Sequence, residues 1–190
     1  VAVVGDASPL GGSFGMIGPG TVNASGSVAF LASDTTAGPS DVFLWNGVSV
    51  SSVAAVGDVA PLGNTYQFLG TESFGFVDGS TIPAGPVPDI DDAGDVAFRA
   101  ITAGERGIVV RSAGGGAAWA VRDNEPSPLG GTFLDFQGPN LNNAGELAFF
   151  ADARLGPSSF NSGLVAGTPG NWRKVIAFGD AVGGGVCNGL

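Results

Sequence analysis

Along three short segments of the chain, large apolar residues occupy every second position. Val28, Phe30 and Ala32 fall on one side of an extended backbone, with Ala29 and Leu31 on the other. The spacing returns as Val96, Phe98 and Ala100 against Ala97 and Arg99, and as Leu147, Phe149 and Ala151 against Ala148 and Phe150. Successive Cβ atoms of a strand point to opposite faces, so a period of two predicts three β-strands. The first face is apolar in every copy and is expected to be core. The second always begins with alanine, and a methyl-sized residue kept beside a large one predicts close approach of a neighbouring sheet.

Each of these strands is preceded by a turn signal. Asn23, Asp91 and Asn142 open four-residue turns that close on Gly26, Gly94 and Gly145. The side-chain oxygen at the first position can accept a backbone N–H, and glycine supplies the positive φ. A short strand ahead of the turn is marked by Thr21-Val22, Asp89-Ile90 and Asn140-Leu141. A third strand is expected over 41–47, 107–111 and 163–166, and a fourth over 48–56, 117–121 and 172–178. Glycine or proline interrupts every candidate helical window, so no helix is expected.

A second phrase keeps step with the first. Gly5-Asp6 leads to Pro9-Leu10-Gly11, Gly57-Asp58 to Pro61-Leu62-Gly63, and Asp123 to Pro128-Leu129-Gly130, while Gly179-Asp180 comes last. Taking Asp6, Asp58, Asp123 and Asp180 as equivalent gives spacings of 52, 65 and 57 residues. Units of this length suit one small sheet each. The expected fold is all-β, with tandem repeats of four-stranded antiparallel sheets arranged as in a β-propeller, or alternatively as a stacked β-repeat array. The repeats run over about 1–52, 53–117 and 118–173, with a partial fourth unit over 174–190, in one domain. An insertion over 70–82 lengthens the middle unit. The Gly-Asp phrase occurs four times and the Asn turn three times, which predicts a surplus strand able to pair with the edge of a neighbouring molecule.

The Asn-x-x-Gly-x-x-Ala-Phe phrase at 23–30, 91–98 and 142–149 resembles that of the bacterial choice-of-anchor tandem-repeat proteins, which carry this motif. The Gly-Asp and Pro-Leu-Gly segment is similar to theirs as well, and the likeness covers essentially the whole chain. Asp91 replaces the motif asparagine and keeps its turn chemistry. The resemblance implies a secreted or surface-attached bacterial protein with a β-propeller-like or related β-repeat fold and no established enzymatic activity.

Composition narrows the remaining choices. With 190 residues, 44% hydrophobic and 13% charged, the chain can bury a core despite its 34 glycines. A net charge of −10 opposes binding to nucleic acid or anionic lipid. No stretch approaches the roughly 20 apolar residues of a membrane helix. The first residue is Val1, already in register with a repeat, which is read as a processed or excised piece of a longer precursor. Cys187 is the sole cysteine and allows no internal disulfide.

The chain has no histidine and so lacks the commonest general base; no enzymatic activity is expected. Repetition of the aspartates points to capping of turn N–H groups. Asp89, Asp91 and Asp95 offer alternating oxygen ligands and form a candidate calcium site, without a bidentate glutamate at the required distance; no other cofactor is expected. Asn23 opens an N-glycosylation pattern absent from its later copies, and coincidence is the favoured reading. Trp45, Trp119 and Trp172 could stack on sugar rings, although strand positions favour packing roles. The expected function is a structural or adhesive subunit at the cell surface or outside the cell. It would self-associate head to tail into an oligomer or filament by terminal strand complementation. The alternative is a monomeric propeller binding extracellular carbohydrate or another ligand through the tryptophans and the insertion.

Overall fold

The computed structural model describes residues 2–34, 40–70 and 87–187, with the backbone of 75–77 and 80–82. The protein is all-β, and among the described residues there is no helix. The first sheet consists of β1 (Met16–Val22), β2 (Val28–Ser33), β3 (Asp41–Trp45) and β4 (Val50–Ala54), antiparallel and in chain order. β5 (Tyr66–Leu69) opens the second sheet. β6 (Gly75–Val77) and β7 (Ser80–Ile82) pair only with each other, and the side chains and remaining residues of the 70–82 insertion beyond Gly70 lie outside the described residues. The second sheet continues with β8 (Asp89–Ile90), β9 (Val96–Thr102), β10 (Arg106–Arg111) and β11 (Ala117–Arg122), in the order β11-β10-β9-β5, with β8 also paired to β9. The third comprises β12 (Thr132–Leu141), β13 (Leu147–Gly156), β14 (Ser159–Thr168) and β15 (Asn171–Ala177), again in chain order. β16 (Ala181–Val182) and β17 (Gly185–Val186) form a terminal two-stranded ribbon.

The insertion has a physical location. The register of β1 shifts between Ile17 and Gly20, and that of β12 between Gln137 and Asn140, each a bulge opposite the Phe strand. Bulges leave residues outside the ladder, where added chain disturbs no pairing. The second sheet carries its insertion at the same point, which splits the first strand into β5 and β8, both held by β9.

The sheets pack face to face. Ala29, Leu31 and Val42 of the first sheet share a core with Val96, Phe98 and Val109 of the second. Ala97 and Ile108, on the opposite face of the second sheet, share another with Leu147, Phe149 and Val165 of the third. Ala29 and Ala97 are wholly buried, as close approach of sheets requires. A smaller core lies on the outer face of the first sheet, where Ala2 and Phe14 cover Phe30 and Phe43.

Residues 2–15 form a loop closed by an Ala7–Ser13 bridge, and the last Gly-Asp copy leads directly into the β16–β17 ribbon. One expectation is corrected: the third Gly-Asp copy is displaced by two residues. Glu125, not Asp123, matches the other carboxylates, because Asn124 donates its N–H to the Phe133 carbonyl as Gly5 does to Phe14 and Gly57 to Tyr66. Asn124 has φ +64°, the left-handed region that the glycines of the other copies occupy without a Cβ penalty.

Candidate functional site

The repeated polar residues build the scaffold first. The side-chain oxygens of Asn23, Asp91 and Asn142 accept the N–H of Ser27, Asp95 and Glu146, each at 2.9 Å. Gly26, Gly94 and Gly145 donate back to the main-chain carbonyls of the same three residues, with φ of +83°, +88° and +75°. In the second phrase, Asp6, Asp58, Glu125 and Asp180 accept the N–H of Val3, Ala55, Arg122 and Ala177, three residues earlier in each case. Such caps satisfy loop donors that would otherwise need water.

The turns also meet one another. Asn23 Nδ2 donates to the Asp91 carbonyl at 2.9 Å, and the Ala24 N–H to Asp92 Oδ1 at 2.7 Å. From the second turn to the third, the Asp92 N–H donates to Asn143 Oδ1, and Asn143 Nδ2 to Asp92 Oδ2. Thr21 Oγ1 donates to the Pro88 carbonyl, and the Leu141 N–H to Asp89 Oδ2. A polar ladder therefore ties the sheets together along the line of turns. Asp92 and Asn143, the second residues of their turns, were legible only as variable positions between the motif residues.

Each sheet-to-sheet contact has an apolar floor, and the second of them adds a buried ion pair. Phe14, Tyr66 and Phe133 come nine residues after Gly5, Gly57 and Asn124, and each packs on the Phe strand beside it: Phe14 on Phe30, Tyr66 on Phe98, Phe133 on Phe149. That nine-residue interval was present in the sequence as a usable signal. Between the second and third sheets, the buried guanidinium of Arg99 pairs with Asp135 at 2.8 Å and donates to the Gly70 carbonyl at 3.0 Å. A buried cation requires such partners.

The third sheet has a face with no sheet against it among the described residues. Ala148, Phe150, Leu164, Ala166 and Ile176 share this face through direct cross-strand pairing and are all half-buried. Their counterparts are enclosed: Leu31 is 3% and Arg99 4% exposed. Sheet one shows the converse at its outer end. Val22 is 66% exposed, whereas Ile90, at the same register position of the second sheet, is 5% exposed.

Electrostatics around the scaffold follow burial and pairing. Burial pushes the Asp41 carboxyl above its ordinary value, against the lowering effect of the Val56 N–H that it accepts. Burial likewise pushes Tyr66 up to about 12. Hydrogen bonds from Arg173 and Asn142 hold Glu146 below the usual carboxylate range, and one from Lys174 does the same for Asp180.

The candidate ligand sets fare differently. Asp89 accepts the Leu141 N–H, Asp91 that of Asp95, and Asp95 that of Ala113, so the proposed calcium ligands serve three different backbone donors. Among the described residues no group of three or more acidic, cysteine or histidine side chains gathers to hold a metal. Trp119 and Trp172 pack against the two inter-sheet cores, and Trp45 against the outer core of the first sheet, so the three tryptophans line no common surface. Cys187 is buried at the end of the last Gly-Asp loop, where its main chain exchanges hydrogen bonds with Gly179 and Asp180 as Phe14 does with Gly5 and Asp6.

Fold and site together define an all-β protein of four-stranded antiparallel sheets whose repeated polar residues hold turns and join sheets. Over residues 1–188 the chain matches the family of unknown function DUF7453, and it belongs to that family. No curated protein and no solved structure matches it.

Proposed function

We propose that this chain is a non-enzymatic structural repeat protein of the bacterial cell surface or extracellular space, akin to the choice-of-anchor repeat proteins, with its sheets arranged in the manner of propeller blades. Its task is to extend or close a stack of sheets by self-association. The observation that carries this reading is the half-buried face of Ala148, Phe150 and Leu164, whose counterparts inside the chain are covered each time by another sheet. The repeated carboxylates favour the same reading, because they cap backbone N–H groups. Self-association then runs through sheet faces, with terminal strand complementation as the second route.

Sedimentation velocity and electron microscopy of the purified chain test the proposal. Concentration-dependent assemblies are expected, either rings or filaments; a monomer at every accessible concentration removes it. Protease treatment of intact producing cells tests the location, with digestion expected. The alternative, a monomeric module for extracellular carbohydrate, draws on Trp45, which lines an open groove with Phe14, Val50 and Asp6. Trp45→Ala would then abolish glycan binding by a monomer.

A further inference from the structure

We infer that the free face of the third sheet receives the first sheet of a second copy of this chain, head to tail, with Phe150 seated against Met16 of the partner molecule. This rests on the self-association reading above and names its contact. The chain already contains two examples of the joint. In each, the alanine face of one sheet meets the Phe-strand face of the next, through Ala29 and Leu31 in the first and Ala97 and Arg99 in the second. The third alanine face, Ala148 with Phe150, has no such neighbour among the described residues, and the first Phe-strand face has none before it.

Register identifies the pair. Phe150 holds the position of Arg99, because both directly follow the alanine-face residue by two places along the Phe strand. Asp135, the partner of Arg99, lies two residues beyond Phe133, at the strand bulge. The residue two beyond Phe14 is Met16, at the start of β1 and half-buried. Arginine thus meets aspartate inside the chain, while phenylalanine would meet methionine between chains. A thioether against an aromatic ring is a favourable apolar contact. A second copy is the occupant that supplies accessible Met16 and Val22 on a sheet whose Phe14 and Phe30 are already buried by its own chain. Val22 of the partner would gain the cover that Ile90 already has.

Heterologous contacts of this kind close into a ring when the rotation fits and otherwise continue as a filament.

The internal ion pair supplies the test. Phe150→Arg and Met16→Asp each put a charge against an apolar partner, and either alone should weaken association by about 100-fold or more, as loss of a central interface anchor does. The double variant Phe150→Arg/Met16→Asp reproduces the Arg99–Asp135 pair across the joint and should recover association to within about tenfold of the unaltered chain, because contacting sites are not additive. Thermal melting of each variant checks that the subunit still folds. If the unaltered chain assembles and the single variants assemble equally well, this contact is wrong while the self-association reading stands. Single variants that lose association without recovery in the double variant overturn the pairing of 150 with 16. An unaltered chain that stays monomeric at the highest soluble concentration overturns both, and leaves the face to a different partner or to further sheets of a longer polypeptide.

Discussion

Individual side chains of this protein repeat their roles more faithfully than their identities. Asn23 and Asp91 make the same turn bond, Glu125 replaces aspartate as a loop cap, and Asn124 adopts the backbone of a glycine. Tyr66 replaces phenylalanine in the aromatic position next to Phe98, and this gives a direct measurement of burial. It is the only tyrosine, so ultraviolet titration reads it alone. Its ionisation is expected near pH 12, not at the ordinary value of 10. Since the folded-state pKa is the higher one, its stabilising contribution is complete below pH 10 and disappears as pH rises towards 12. Ionisation of the folded protein near 10 would show that the ring is not sealed against Phe98. Phe98 itself is 1% exposed, and Phe98→Ala should cost about 3–5 kcal/mol in denaturant unfolding. A wild-type-like midpoint would mean that the Phe strand is not core.

Strands and turns were legible where their signals are local. The Asn turns, the Phe strands and the strands that follow them all depend on residues a few positions apart, and the structure contains them. The Gly-Asp alignment went wrong in the third copy because Asn124 hides the glycine and Asp123 imitates the cap two residues early. The turn-to-turn ladder was hidden for another reason: Asp92 and Asn143 are 51 residues apart, and only the stacking of sheets brings them together. Asp89, Asp91 and Asp95, the candidate calcium ligands, each accept a backbone N–H, a role that alternating oxygens suit as well as they suit a cation. The alanine positions carried long-range information all the same, and they separate a covered sheet from an open one. Ala97→Leu adds three carbons where no space exists, at a cost of about 1–3 kcal/mol. Ala148→Leu, on the half-buried face, should leave the melting of the isolated subunit within about 0.5 kcal/mol of wild type. Equal destabilisation by the two would show that the third sheet is covered after all.

At the scale of the whole molecule, an apolar joint must form between bodies of like charge. Each chain carries a net charge of −10, and the proposed contact centres on the apolar side chains of Phe150, Leu164 and Met16, with Asp152 beside Phe150 on the same face. Long-range repulsion therefore opposes assembly while the contact itself is indifferent to salt. Raising ionic strength from about 0.01 M to about 0.15 M shortens the screening length from roughly 30 Å to roughly 8 Å. Association of the unaltered chain should tighten several-fold over that range, measured by sedimentation equilibrium. The Phe150→Arg/Met16→Asp variant holds its joint by an ion pair and screens both terms together, so its gain with salt should be smaller or reversed. A wild-type assembly that instead dissolves with salt would be held by charge pairs, and the apolar sheet face would then not be its joint.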